Sequence, residues 1–214
     1  MTAVVLRAED VHVVRDGRPI LAEVSLTVRA GEHWALLGAN GAGGSTLLRL
    51  LGALVHPTRG TVEVLGHRLG RVDLRELRAH VGHVDPRHPP ASPLRVRDVV
   101  LTGLTNSVEP LPRWRPEPQQ AARAERLIGT LGLIGALEDL RREHPRLATV
   151  LVTHHLEELP AHTTHALLLR EGRPLAGGPV GEVLTADRLG KCFDLPPTLE
   201  RHEGRWSVRT ARRA

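Results

Sequence analysis

The sequence predicts an α/β fold, with a buried parallel sheet and an antiparallel β layer supplied by the N-terminal residues. Three observations carry this. Residues 33 to 54 read as apolar strand, glycine-rich loop and apolar-periodic helix: His33 to Leu37, then Gly38-Ala39-Asn40-Gly41-Ala42-Gly43-Gly44-Ser45-Thr46, then Leu47 to Leu54. Ala148 to Thr153 is an apolar, β-branched run of the kind found in parallel strands buried on both faces. Residues 3 to 30 alternate with period 2 between turn signals.

Taken in order, Val4 to Leu6, Val11 to Val14 and Val24 to Val28 are short strands, separated by Asp16-Gly17 and Ala30-Gly31. Trp34 to Leu37 is a core strand. Leu47, Leu48, Leu50, Leu51 and Leu54 form the apolar face of the first helix, which Pro57 is expected to end. Gly60 to Gly66 holds a strand that returns to the antiparallel layer. Asp73 with Glu76 gives a capping-box signature for a short helix, and Val81 to Val84 reads as a strand stopped by Pro86. After a loop rich in Pro, Arg and His, helices are expected at Val96 to Leu104 and at Pro118 to Gly132. The second shows Ala124, Leu127, Ile128 and Leu131 at helical spacing. Leu137 to Glu143 is a short helix stopped by Pro145. A further strand is expected at Ala166 to Leu169, a turn at Glu171-Gly172, and a helix over Gly181 to Phe193 with Thr185 as an internal cap.

With 214 residues the chain can bury a full core. Aromatic residues are 2%, with no Tyr, so the core rests on Leu, Val, Ile and Ala. The net charge of +5 comes almost wholly from Arg, Lys191 being the single Lys, and the Arg residues are scattered rather than gathered into one nucleic-acid-binding face. Arg205, Arg209, Arg212 and Arg213 make the one basic cluster, at the C-terminus. One cysteine, Cys192, excludes an internal disulfide and fits a reducing compartment. No stretch has the apolar length of a membrane span and no signal-peptide pattern opens the chain, so a cytoplasmic location is expected.

Strand, glycine-rich loop and helix are the parts of a P-loop, in which successive backbone N–H groups and a helix N-terminus hold a polyphosphate. The motif asks for Lys before the Ser or Thr. Here that position is Gly44.

The hairpin layer ending at Val24 to Val28, the loop Gly38 to Thr46, the strand Gly60 to Val64, Val81 to Val84, Val96 to Gly103, the strand ending Val152-Thr153-His154, and Glu171 to Gly178 with Glu182 to Leu184 together resemble the ATP-binding subunit of ABC transporters. The likeness runs from about residue 5 to residue 195. The tail from Leu184 to Phe193 resembles the importers of metal chelates, haem or cobalamin. The resemblance implies a P-loop NTPase core with an N-terminal antiparallel β layer, ATP and Mg²⁺ as cofactors, a membrane permease as partner, a second cassette as a further partner, and a position at the inner face of the membrane held through the permease. It assigns Gly38, Ala39, Asn40, Gly41, Ala42, Gly43, Gly44, Ser45 and Thr46 to the Walker A loop, with Ser45 as the hydroxyl ligand to Mg²⁺ and Thr46 as a phosphate contact. His154 matches the catalytic switch histidine that contacts the γ-phosphate. Arg15 stands near where the family usually places an aromatic that stacks on adenine.

The chain departs from the family pattern in four places. Gly44 replaces the lysine, and Pro86 stands where the family has Gln. No run of four apolar residues is followed by Asp-Glu, so the Walker B aspartate and the catalytic glutamate have no counterpart. The signature sequence is also missing, and Leu175-Ala-Gly-Gly-Pro179 only mimics its glycine pair in a later turn. These departures imply an internal deletion near residues 134–138, with its junction near Ala136, inside a single domain of residues 1–195 followed by a basic tail of residues 196–214. They also imply a reduced helical subdomain, no Walker B strand, weak binding of ATP and Mg²⁺, and defective hydrolysis. With that strand lost, Val81 to Val84 either pairs with Val150 to Thr153 or leaves it as a bare apolar edge. Two other readings compete: a non-catalytic, cassette-shaped interaction protein, and a metal-binding protein using His154, His155, His162 and His165 with Glu157 or Glu158.

Overall fold

The structure is a computed structural model that describes residues 2–74, 77, 80–84, 96–105, 111, 113–129, 140–194, 197–202 and 204–210. Pro86, Glu76 and the junction near Ala136 lie outside the described residues.

The N-terminal residues form one long hairpin, β1 (Val4–Arg15) with β2 (Arg18–Arg29). The expected short strands 4–6 and 11–14 are a single strand, kept continuous through a register shift near Asp10, whose φ is 46°. Asp16 and Gly17 turn the hairpin with φ of 51° and 72°, the positive values a two-residue type I′ turn needs. β4 (Arg59–Val64) pairs antiparallel with β1, and the two-residue β5 (His67–Arg68) closes this layer in the order β2-β1-β4-β5.

The second sheet has the order β6-β3-β7-β8. β3 (His33–Gly38) runs parallel to β6 (Thr149–Thr153) on one side and to β7 (His165–Arg170) on the other. β8 (Arg173–Pro179) returns antiparallel to β7. The loop strand therefore lies between β6, which His154 follows, and β7, the last parallel strand. Along β3 the side chains alternate between two cores. Trp34 and Leu36 enter one with Val11, Val24, Val62 and the helix residues Leu47 and Leu50. Ala35 and Leu37 enter the other with Leu168, Val180, Leu189 and Trp206. Burial on both faces is why this strand reads as an unbroken apolar run.

Helix α1 (Gly44–Leu51) follows the loop and ends at Gly52, earlier than the expected stop at Pro57. The chain turns at Ala53, which adopts a φ of 56°. Leu77 N–H donates to Asp73 O at 3.2 Å, consistent with the helical turn expected there. Helices α2 (Val96–Thr102) and α3 (Pro118–Gly129) are tied by the Arg97–Glu125 ion pair at 2.8 Å. On α3, Ala124 is buried while Leu127 is 42% exposed, so the apolar face read from its spacing is only partly covered. Residues 140–143 are helical, within the span where a short helix is expected before Pro145.

One expectation needs correction and two gain detail. Val81 to Val84 belongs to no strand, and Val84 is 72% exposed. The segment is apolar enough for a strand, but a strand exists only when a ladder satisfies its backbone, and Val81 instead packs its side chain on the first core. The helix expected over 181–193 is two helices, α4 (Val180–Val183) and α5 (Ala186–Phe193), because Thr185 takes an extended conformation and caps the second, accepting from Arg188 N–H at 3.3 Å. The expected basic tail is, over its described residues, a hairpin of β9 (Pro197–His202) and β10 (Arg205–Thr210). Trp206 anchors it in the second core at 8% exposure, Arg201 stacks over that ring at 5.0 Å, and Val208 N–H donates to Glu157 at 3.2 Å.

His33, at the start of β3, is 4% exposed and joins the sheet laterally. Its Nδ1 lies 2.8 Å from Thr149 Oγ1, and its N–H donates to Thr164 Oγ1 at 2.8 Å. Burial, with His162 and Arg141 nearby, pushes its pKa down to about 4. The unfolded chain therefore binds a proton between pH 6.5 and 4 that the folded chain refuses. The stability involved is present above pH 6.5 and is lost as pH falls toward 4. Urea unfolding at pH 7 and pH 5 is expected to show a loss on the order of 2 kcal/mol, and the His33→Gln variant is expected to remove most of that pH dependence.

Candidate phosphate-binding site

The loop Gly38 to Thr46 sits at the C-terminal end of β3, where an α/β sheet places its ligands. Backbone geometry explains its glycines. A Cβ on Gly38 would stand 2.6 Å from Leu169 O and 2.8 Å from the Ala42 Cβ. Gly43 has a φ of 97°, and a Cβ there would stand 2.6 Å from the Leu21 side chain. The loop thus lies pressed between β7 and β2. Ala42 N–H donates to Ala39 O at 2.9 Å, which closes the loop on itself.

Gly43 is the N-cap of α1, and no side chain caps the helix. The first helical bond runs from Leu47 N–H to Gly43 O at 2.9 Å, so the N–H groups ahead of it precede the intrahelical ladder. The first turn contains no acidic residue, and the positive end of the helix dipole has no carboxylate of its own to face. This arrangement suits a phosphate supplied from outside. Ser45, which is exposed, and Thr46, which is half-buried, occupy the first turn.

One buttress was not apparent in the sequence. Gly172, in the β7–β8 turn, donates its N–H to Ala42 O at 3.1 Å and accepts from Ala22 N–H on β2 at 2.9 Å. The turn locks the loop to the antiparallel layer. Its two basic neighbours are engaged elsewhere, Arg170 with Asp194 at 3.1 Å and Arg173 with Glu23 at 2.9 Å. Gly44 faces Val152, whose Cγ1 would lie 3.1 Å from an added Cβ.

The register pairs Leu37 with Thr153, so His154 emerges at the same end of the sheet as the loop. Thr153, 7% exposed, holds the turn that carries His154: its hydroxyl bonds Glu158 and accepts from His155 N–H at 3.0 Å. His154 is exposed and packs its ring on His155 at 3.9 Å. Arg15 lies exposed at the end of β1. His162 and His165 are drawn away from this end. His162 contacts the His33 ring at 4.6 Å, and His165 stacks on Trp34 at 4.8 Å beside Glu32. Among the described residues no three His, Cys, Asp or Glu side chains are grouped to hold a metal, so the histidines of the metal-binding reading do not converge.

The fold and this loop define a P-loop NTPase of the cassette type, with an antiparallel layer beside the nucleotide-binding sheet. A family model described as ABC transporter matches residues 21–150, more than half of the chain, and the protein belongs to the ABC transporter family as an ATP-binding subunit. The hemin import ATP-binding protein HmuV of Streptomyces coelicolor is 30% identical over 90% of this chain and 84% of its own length. The phosphonates import ATP-binding protein PhnC 1 of Pseudomonas aeruginosa is 30% identical over 96% and 74%. The ABC transporter ATP-binding protein YlmA of Bacillus subtilis is 27% identical over 90% and 92%. These alignments run over 243, 223 and 250 positions, each longer than the chain's 214 residues, so every one contains positions of the relative with no counterpart here.

Two solved structures share the fold. A dimeric ATP-binding cassette in a post-hydrolysis state with ADP and Pi gives a TM-score of 0.67 at 17% identity, over 82% of this chain and 98% of that one. A metal-chelate type ABC transporter in an inward-facing conformation gives 0.62 at 16% identity, over 97% and 96%.

ABC ATPases bind ATP with Mg²⁺, and their ATP-binding subunits pair with membrane permease components. No helix among the described residues is long and apolar enough to cross a membrane. For ATP, the loop's close-packed glycines and uncapped helix start fit the phosphates. For Mg²⁺ the fit is poorer, since Ser45 is present but the sequence has no Walker B Asp-Glu pair.

Proposed function

We propose that this chain is the ATP-binding subunit of an importer-type ABC transporter, one that holds nucleotide weakly at Gly38 to Thr46 and does not hydrolyse it. The observation that carries this is the contrast at the loop. Its backbone shape is kept by contacts that leave no room for a Cβ on Gly38 or Gly43, while its cation is replaced by Gly44. The importer assignment rests on the hemin and phosphonate import relatives.

Phosphoryl transfer needs a metal, a positioned nucleophile and compensation of the charge developing on the phosphoryl group. The chain offers backbone N–H groups, Ser45 as the metal's hydroxyl ligand, Thr46 at the phosphates and His154 at the γ-phosphate side. It lacks the lysine, the metal-linked aspartate and the general base, and such groups act as a unit. The permease and a second cassette are the partners, and through the permease the subunit lies at the inner face of the membrane. Residues 1–195 form the nucleotide-binding unit, and the 197–210 hairpin docks on it through Trp206.

An ATP titration with and without Mg²⁺ tests this. Weak binding that Mg²⁺ changes by less than about threefold is expected, and a Mg²⁺-dependent gain of about tenfold or more contradicts the reading. The interaction-protein reading is favoured by a scaffold that stays packed without the lysine, the metal-linked aspartate and the general base. It predicts permease capture that is indifferent to nucleotide.

A further inference from the structure

We propose that the outer edge of β6 is a dimerisation surface at which two copies of this chain pair β6 against β6 antiparallel about Leu151, joining their parallel sheets into one. The inference is independent of whether the subunit hydrolyses ATP.

β6 is the outermost strand of its sheet, and among the described residues nothing pairs with its far side. Its backbone parity can be read from one bond. Thr149 N–H donates to Glu32 O at 3.1 Å, toward β3, so Thr149, Leu151 and Thr153 direct their backbone groups inward. Val150 and Val152 direct theirs to the open edge, because successive residues alternate. An open row of N–H and C=O groups is a template for another strand.

The occupant is specified by the strand itself. Thr149-Val150-Leu151-Val152-Thr153 reads the same in both directions. Antiparallel pairing about Leu151 sets Val150 opposite the second copy's Val152, and Thr149 opposite its Thr153. The outward-facing residues, Val150 and Val152, then oppose each other as hydrogen-bonded pairs, which gives four bonds across the two-fold axis, and Leu151 meets its own copy in a non-hydrogen-bonded pair. Thr–Thr and β-branched pairs are favourable cross-strand neighbours.

No charge interrupts the surface from Leu147 to Thr153, and Leu147 is 37% exposed just before the strand. Edge strands are commonly protected from self-pairing by Lys, Pro or a bulge. β6 contains no Lys or Pro, and its register with β3 runs without a shift from Thr149 to Thr153.

The test uses the full chain. Sedimentation across a concentration series is expected to give a dimer, twice the 23.4 kDa chain mass. The Leu151→Cys variant is expected to form a disulfide-linked dimer under mild oxidation, since Cα atoms in a non-hydrogen-bonded pair lie about 4.5 Å apart. The unmodified chain is its control, because Cys192 is 2% exposed. Val150→Pro removes one outward N–H and no inward bond, and it should weaken dimerisation at least about tenfold, roughly 1.4 kcal/mol, while circular dichroism stays unchanged. If Val150→Pro fails to fold, the cysteine cross-link decides alone. A monomer at all concentrations, as when the chain's own residues cover the edge, overturns the proposal. So does a dimer that neither cross-links at position 151 nor responds to the proline.

Discussion

Gly44→Lys is expected to tighten ATP binding by about 10- to 100-fold, because a hydrogen bond from a charged donor is worth about 1.5 to 3 kcal/mol. The site is prepared for the substitution. Gly44 is the first residue of α1, beside a loop whose backbone is held by Gly38, Gly43 and Gly172. The one close neighbour of a new Cβ is Val152 Cγ1 at 3.1 Å, a half-buried side chain on the outermost strand that can shift by a few tenths of an ångström. Gly44→Ala separates the cation from the gain in helix propensity, which is at most about 1 kcal/mol. Alanine is expected to raise thermal stability slightly and leave ATP affinity unchanged within about twofold. Equal affinity in the Lys and Ala variants, measured by isothermal titration, rules out the loop as the phosphate site.

Gly172→Ala is expected to destabilise the chain by about 3 to 4 kcal/mol and to abolish nucleotide binding. Gly172 has a φ of 77°, which costs a residue with a Cβ roughly 1 to 2 kcal/mol. The added Cβ would stand 2.3 Å from Ile20 O, so the turn must move. Movement breaks the bonds to Ala42 and Ala22, each worth about 1 kcal/mol. The melting temperature should fall by roughly 10 °C. Gly17→Ala is the matched control. Gly17 has nearly the same φ, 72°, but nothing lies within 4 Å of its added Cβ, so strain alone remains and the loss should stay near 1 to 2 kcal/mol. Equal losses in the two variants contradict the buttress.

What could be read from the sequence follows from how local each feature is. β3 and β7 announce themselves because strands buried on both faces need continuous apolar runs, and β6, half-buried at the sheet edge, carries the same kind of run because it packs on both cores. The glycine-rich loop shows because its backbone demands fall on adjacent residues. Val81 to Val84 has the composition of a strand, yet a strand also depends on a distant partner, and none of its residues reveals whether that partner exists. The hairpin of β9 and β10 was hidden by its arginines. Its signal was the alternation of Leu199, Trp206 and Val208 about Gly204, whose φ is 81°. The role of Gly172 was illegible for a similar reason, since its partners at positions 22 and 42 are remote in the chain.

Under the proposed function the chain keeps a phosphate cradle without the means to cleave what the cradle holds. Steady-state phosphate release with saturating ATP and Mg²⁺ is the test. The unmodified chain, and equally the Gly44→Lys variant that binds more tightly, is predicted to release phosphate no faster than a protein-free blank, because restoring the cation restores neither the metal-linked aspartate nor the base. Clear turnover by the unmodified chain, abolished by Ser45→Ala, would contradict the proposed function.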